Sequence, residues 1–405
     1  MNILLIAFAC EPNRGSEEGV GWNWAVNLAK KHNVYVITRG QEKPLIEKYL
    51  ERTPINNLHF FYYEDGGVMH FVDKKVPYGF RIYYKWWQEK IKPIAEQIIA
   101  AYKVDIIHQL TYNEYRTPGK LYKYDIPFVW GPIGGGHEYN PILKNAFFKK
   151  SDIIKEIIRR KMNHWYLSDK DVKGALQMAA AVIVADPATF SILPKNRKYE
   201  RLLETAYYPE RNAIKDFESQ NEHVTIHLLY AGVMQPRKGL KIIIDALGES
   251  DFRDFELVMI GDGSEKKFLE KLTQEYHIEK KVKFMGKLSY DEVNRYYDWA
   301  DLFLFPSLRD TSGNVILESM SHGTPVVALN HNGASEMITD DCGELIPIQS
   351  YNQIKSDYVK IIKKYYENRD LEKKKGIAAR RRIEEVYSWD YVMEFIDGVY
   401  SKVIQ

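Results

Sequence analysis

The chain has 405 residues, which at ~150 residues per domain predicts two or three domains with room for sizeable cores. Apolar residues make up 45% and charged residues 28%, and 57 basic against 55 acidic side chains leave a net charge of +2, too little to draw the chain to nucleic acid. Two cysteines, Cys10 and Cys342, exclude a disulfide scaffold and suit a reducing compartment, and the lack of an apolar run of about 18 residues argues against a membrane-spanning helix.

Short apolar runs alternate with amphipathic helical stretches, which predicts βαβ units and mostly parallel sheets. The first run, 3–9, lacks a basic leader and enters a glycine-rich turn, so it reads as a buried strand rather than a signal peptide. Strands are expected next over 34–38, 59–63, 105–108, 128–130 and 181–185, with helices over 21–31, 91–102 and 170–179. Aromatic residues crowd between Phe60 and Trp87, Phe71 and Tyr78 among them. Most of these read as packing, with a sugar-stacking or membrane-facing surface as the sharper alternative. Residues 144–161 mix lysine and arginine with Phe147, Phe148, Ile153, Ile154, Ile157 and Ile158, which suits a helix on the protein or one lying on an anionic membrane surface.

Over 196–222 charge rises, periodicity fades and Pro209 intervenes, so this stretch is the expected linker. A second series follows, with strands over 227–231, 256–260, 282–285, 302–305, 325–328 and 344–346. Its helices fit 240–247, 265–276, 290–298, 314–322 and 351–368, followed by a charged helix over 373–385 and an amphipathic aromatic stretch over 387–404. Two consecutive doubly wound α/β modules describe the pattern.

Four strand-to-helix junctions carry polar chemistry. The one from Ser307 to Pro325 holds Asp310 and Glu318 around a helix expected to start at Gly313, Asn314 and Val315. Ligands of open α/β sheets sit at the carboxyl ends of strands, and a helix N-terminus there offers unpaired N–H groups to phosphate. Glu318, about one turn or ~6 Å inside the helix, is placed to accept from a ribose diol. Asp310 would be repelled by a diphosphate unless it meets neutral hydroxyls, which suggests a sugar partner. The bland alternative makes Asp310 a turn residue and Glu318 a solvated helix position.

The junction from Tyr230 to Leu240 sets Arg237 and Lys238 before a helix, where two cations oppose the dipole unless an anion sits between them. A solvated basic turn is the alternative. The first junction, Ile6 to Trp22, includes Gly15 and Ser16 but no Gly-x-Gly-x-x-Gly, so the dinucleotide fingerprint is missing. The loop 130–139 has three consecutive glycines before His137 and Glu138, and His108 ends another strand of the same sheet. Asp169-Lys170-Asp171 spells Asp-x-Asp but precedes a helix and reads as a solvated cap. Motifs for a nucleophilic serine, a zinc protease, a Cys-x-x-Cys pair or a P-loop do not occur.

Taken together, Asp310 and Glu318 with seven residues between them, Met320 with Gly323-Thr-Pro325, Lys238-Gly239, Ile260-Gly-Asp-Gly263, Phe284-Met285-Gly286 and Phe305-Pro-Ser307 resemble glycosyltransferase family 4. The resemblance is dense in the second half and looser in the first, where it rests on Gly15-Ser-Glu17 with Gly21, His108 and the 130–136 loop. It implies a GT-B fold: two Rossmann-like doubly wound domains facing across a cleft. The first, 1–205, would bind the acceptor and the second, 222–385, the nucleotide sugar, with 386–405 a helix crossing back to the first.

By position the resemblance implies that Glu318 holds the ribose, Asp310 the donor sugar and Lys238 the diphosphate. The backbone at Met285 would meet the base, and Gly15 and Ser16 the phosphates or sugar. Three departures accompany it. Asp310 stands where the family usually has Glu. Val233 stands where it often has Arg, with Arg237 as substitute. Gly131 stands where it often has His, with His137 or His108 as substitutes.

The implied activity is retaining, metal-independent transfer of a hexosyl unit from a nucleotide diphosphate sugar to a glycan or lipid-linked oligosaccharide, in cell-surface polysaccharide synthesis. No cofactor is implied beyond the donor substrate, no nucleic acid is a partner, and the setting is the cytoplasm with peripheral contact to the inner face of the membrane. A GT-B-fold nucleotide-sugar epimerase and a catalytically silent sugar-nucleotide-binding module are the alternatives.

Overall fold

The computed structural model describes residues 1–67, 79–208 and 225–405. The chain forms two compact units, one of Met1–Gly136, Met162–Thr205 and Trp389–Gln405, the other of His137–Lys161 and Ala206–Ser388.

The first unit is built on β1 (Asn2–Ala7), β2 (Asn33–Arg39), β3 (Leu58–Tyr63), β4 (Ile106–Thr111), β5 (Phe128–Ile133), β6 (Ala181–Val184) and β7 (Glu200–Arg201). They form one sheet in the order β3-β2-β1-β4-β5-β6-β7, and every pairing is parallel. Ile3 to Ala7 of β1 are fully buried, as a central strand covered by helices on both faces requires. Such strands read as unbroken apolar runs, which is why the sequence exposes them.

The second unit has β8 (Ile226–Ala231), β9 (Phe255–Ile260), β10 (Val282–Gly286), β11 (Leu302–Phe305), β12 (Val326–Leu329) and β13 (Gly343–Ile346), ordered β10-β9-β8-β11-β12-β13. Its core packs Leu228, Leu257, Leu304 and Val327 of the sheet with Ile243, Tyr358 and Ile362 of the helices Lys241–Glu249 and Tyr351–Glu367. Strand order reverses between β8 and β11, so the unit has its topological switch point there.

Several expected boundaries change. The segment His137–Lys161 was expected in the first domain and belongs to the second unit, where Leu143, Ala146 and Phe147 enter the core. The expected linker is partly structured: Glu200–Arg201 pairs with β6 as a sheet edge, and the longer segment of the second unit begins at Ala206. Pro209 and most of the remainder, like Phe71 and Tyr78 of the aromatic stretch, lie outside the described residues. The first helix starts at Ser16 rather than 21 because its glycines serve packing, not a turn: a Cβ at Gly21 would lie 1.9 Å from the Ala9 carbonyl oxygen.

Among the described residues of the aromatic stretch, Tyr83, Tyr84 and Trp87 are core, and Phe61, Tyr63, Phe80 and Trp86 pack against it. Tyr83, Tyr84 and Trp87 meet the Phe8 ring edge-on at 5.4, 5.0 and 5.0 Å. The helix Trp389–Ile404 belongs to the first unit, where Trp389 packs edge-on against Trp24 at 6.2 Å and Asp397 Oδ1 lies 2.8 Å from His32 Nε2. Among the described residues no helix is long and apolar enough to cross a membrane.

Candidate functional site

At the switch point of the second unit, β8 and β11 deliver two loops that lock together. After β8 the chain makes a short turn at Pro236–Lys238 and then reverses at Gly239 with φ +65°, a conformation that favours glycine. A Cβ there would also lie 2.3 Å from the Pro306 carbonyl oxygen. The Leu308 N–H donates to the Arg237 carbonyl at 2.9 Å, so the loop after β11 is fastened to the loop after β8.

That fastening brings charge together. Lys238 Nζ donates to Asp310 Oδ2 at 2.6 Å, Ser307 Oγ donates to the same oxygen at 2.7 Å, and Arg237 Nη1 contacts Oδ1. Burial pushes the Asp310 carboxyl up, but Lys238, Arg237 and Ser307 outweigh it and hold the carboxyl below its ordinary range. Asp310 is therefore an ionised carboxylate between two cations.

Directly after it, Gly313 opens the helix Asn314–Ser321 with φ +84°, and a Cβ there would lie 2.7 Å from the Phe305 ring. No side chain caps this helix, which leaves its first-turn N–H groups, at Asn314 and Val315, to meet an anion. Further along, Glu318 Oε2 accepts from Tyr297 Oη at 2.8 Å. Burial pushes the Glu318 carboxyl up, opposed by Tyr297 and His322. Met285 is exposed on β10, and the carbonyl of the next residue, Gly286, accepts from the Gly261 N–H at 2.7 Å.

The two histidines part company. His137, expected on the first domain, lies in the second unit, with its carbonyl accepting from Arg159 Nη1 at 2.9 Å. Burial, then the Arg159 and Arg309 cations, keep its imidazole well below the usual histidine range, with Asp310 opposing them. It is a neutral imidazole in the electrostatic neighbourhood of Asp310. His108 is fully buried in the first unit, with Nδ1 2.5 Å from Tyr400 Oη and Nε2 2.6 Å from the Gly131 carbonyl. Both ring nitrogens are engaged, burial lowers its pKa to about 4, and the contact with Tyr400 ties β4 to the C-terminal helix.

Gly15 and Ser16 are exposed at the start of the helix Ser16–Leu28 in the first unit. Asp169 caps its helix by accepting from the Asp171 and Val172 N–H groups, as a cap reading expects.

Sequence reasoning passed over Tyr297, Arg309 and His331. His331 Nε2 lies 2.7 Å from the Ser307 carbonyl, and Arg309 Nη2 pairs with Glu156 Oε1 at 3.1 Å. His331 could have been found, since it follows β12 at a strand's carboxyl end. Tyr297 sits within an ordinary amphipathic helix and carries no such signal.

Residues 212–382 match the family model described as glycosyl transferases group 1. An uncharacterized glycosyltransferase of Methanocaldococcus jannaschii is 27% identical over 176 residues, covering 43% of this chain and 48% of that protein, so the chain spans about half the length of that relative. The Anabaena protein HepE, solved in complex with UDP and glucose, superposes with TM-score 0.63 at 17% identity over 99% of both chains. A glycosyltransferase from Rickettsia africae gives TM-score 0.64 at 17% identity over 100% of this chain and 98% of its own. The chain thus has the GT-B fold, and its residues 212–382 are similar to glycosyl transferases group 1.

Proposed function

We propose that the chain is a retaining glycosyltransferase of family 4 that moves a hexosyl unit from a nucleoside diphosphate sugar to a glycan or lipid-linked acceptor without a bound metal. The observation that carries this reading is the joining of Lys238, Arg237 and Asp310 beside an uncapped helix N-terminus at the switch point. The UDP and glucose bound by HepE support a nucleotide-sugar donor.

In this reading the donor diphosphate displaces Asp310 from the two cations. As the bond from the anomeric carbon to the diphosphate oxygen breaks, negative charge grows on the leaving group. Arg237, Lys238 and the Asn314 and Val315 amides are already in place to stabilise it. The acceptor hydroxyl oxygen bonds to the anomeric carbon on the same face, and its proton passes to the departing phosphate oxygen. Asp310, released, accepts from donor-sugar hydroxyls, and Glu318 holds the ribose with Tyr297 fixing one of its oxygens. The Met285 backbone meets the base, and His137 supplies a neutral imidazole near Asp310.

The transfer takes place at the cytoplasmic face of a membrane, in cell-surface polysaccharide synthesis. On the helix Lys150–Tyr166, Ile154, Ile157, Ile158 and Trp165 are exposed among lysines and arginines, which suits an anionic bilayer surface.

Donor turnover tests the assignment. Wild type should release nucleoside diphosphate in the presence of acceptor, and Lys238→Ala or Glu318→Ala should not. Unchanged turnover in both variants removes the site, and acceptor-independent conversion of the donor points to an epimerase. A thermal-shift screen of nucleotide sugars identifies the donor, which at 100 times its Kd should stabilise by ~2.7 kcal/mol.

A further inference from the structure

Beside the charged corner, the second unit holds a cavity of about 370 Å³ where residues 147–156 meet the loops after β8 and β9. Its lining includes Phe148, Lys149, Arg237, Glu265, Phe268 and Arg309. The Phe148 and Phe268 rings stack with centroids 5.4 Å apart, and Phe268 is 38% exposed.

Glu265 is 3% exposed, and both of its carboxyl oxygens are buried without a hydrogen-bond partner. Arg309 Nε is buried in the same condition, while its Nη2 is held by Glu156. Folded proteins rarely leave such groups unmet, because each forfeits its hydration with nothing in return. Glu265 and Arg309 both line the cavity, and an acceptor pair and a donor without partners behind its wall ask for an occupant that both gives and receives hydrogen bonds. Lys155 pairs with Asp152, Arg309 with Glu156 and Arg237 with Asp310, which leaves Lys149 against Glu265 and a lining with no net charge to favour a phosphate over a neutral occupant. A purely apolar occupant leaves Glu265 and Arg309 unsatisfied. A sugar has hydroxyls for both groups and an apolar C–H face for an aromatic wall.

We propose that this cavity is a saccharide subsite that takes the acceptor of the transfer, with Glu265 and Arg309 meeting its hydroxyls and Phe268 its apolar face. The inference rests on the transferase reading above. Arg237 belongs both to this lining and to the diphosphate corner, which sets the occupant next to the reacting sugar.

The test uses the full chain and saturation-transfer NMR with the methyl glycosides of glucose, galactose, mannose and N-acetylglucosamine. UDP and GDP binding is followed in parallel by thermal shift. At least one glycoside should bind, and Glu265→Ala and Phe268→Ala should each weaken it tenfold or more while leaving the nucleotide shift unchanged. With that glycoside as acceptor, KM should rise tenfold with kcat little altered. Because Phe268 is exposed, its truncation leaves the core intact, and the melting temperature of each variant confirms folding.

Absence of glycoside binding, or binding that both variants retain, overturns the subsite while nucleotide-dependent turnover leaves the transferase reading standing. Loss of nucleotide binding in the variants reassigns the cavity to the donor and also overturns it. Failure of wild type to bind any nucleoside diphosphate sinks the reading beneath it.

Discussion

Asp310 neutralises Lys238 across a 2.6 Å contact that joins two loops from neighbouring strands, and the same carboxylate contacts Arg237. The two cations are thus held by a carboxylate that, in the proposed transfer, the donor diphosphate replaces. Asp310→Asn leaves them facing each other without a counter-charge, and stability should drop by about 2 kcal/mol. A nucleoside diphosphate restores the missing charge. UDP or GDP, whichever binds, should therefore raise the melting temperature of the variant by more than that of wild type. An equal shift in both proteins would show that the diphosphate does not take the place of Asp310.

Gly239 is the hinge of the same corner. An alanine there has to hold φ +65° with its Cβ 2.3 Å from the Pro306 oxygen, so the loops must part. Gly239→Ala should cost about 1–3 kcal/mol in denaturant unfolding. It should also weaken nucleotide binding, because the Arg237–Leu308 backbone bond opens. Neighbouring Gln235→Ala is the control that should leave stability within about 0.5 kcal/mol.

Tyr297 tests the ribose assignment of Glu318. Burial already pushes the Glu318 carboxyl up, and the Tyr297 hydroxyl opposes the shift. Tyr297→Phe removes that donor, so more of the carboxyl is protonated, and the loss is larger at pH 6 than at pH 8. Donor KM should rise about tenfold, the equivalent of ~1.4 kcal/mol, with kcat little changed. A pH-independent effect, or one confined to kcat, would count against Glu318 as the ribose ligand.

His108 sets an acid limit on the first unit. Its pKa is lowered by burial to about 4, against 6.5 for the ordinary group. Between those values the unfolded chain takes up a proton that the folded chain refuses, so stability rises with pH across this window and falls as pH drops from 6.5 toward 4. The full difference is on the order of 3 kcal/mol. His108→Gln should be less stable than wild type at pH 7.5 but lose less between pH 6.5 and pH 4.5, as read from urea unfolding followed by Trp fluorescence.

Much of the second unit was legible because its chemistry is local. Asp310, Gly313, Asn314 and Glu318 lie on one loop and helix, and Arg237 and Lys238 on another, both at carboxyl ends of strands whose double burial writes them as apolar runs. What the sequence hid depends on distant partners. Leu143, Ala146 and Phe147 would suit either core, and nothing in their spacing says that they fill the second. His137 was placed by its position in the chain, and so was His108. Only Gly131 and, far along the sequence, Tyr400 show that both nitrogens of His108 are occupied.

The backbone passes between the two units at 136/137, 161/162, 205/206 and 388/389. No single scission therefore releases either half as a continuous, self-sufficient polypeptide. Residues 206–388 produced in isolation would lack the short excursion that plugs their core and walls the cavity. Chimeras that exchange the second unit with a relative must graft 137–161 as a separate piece, and recombination confined to the C-terminal stretch should yield insoluble protein.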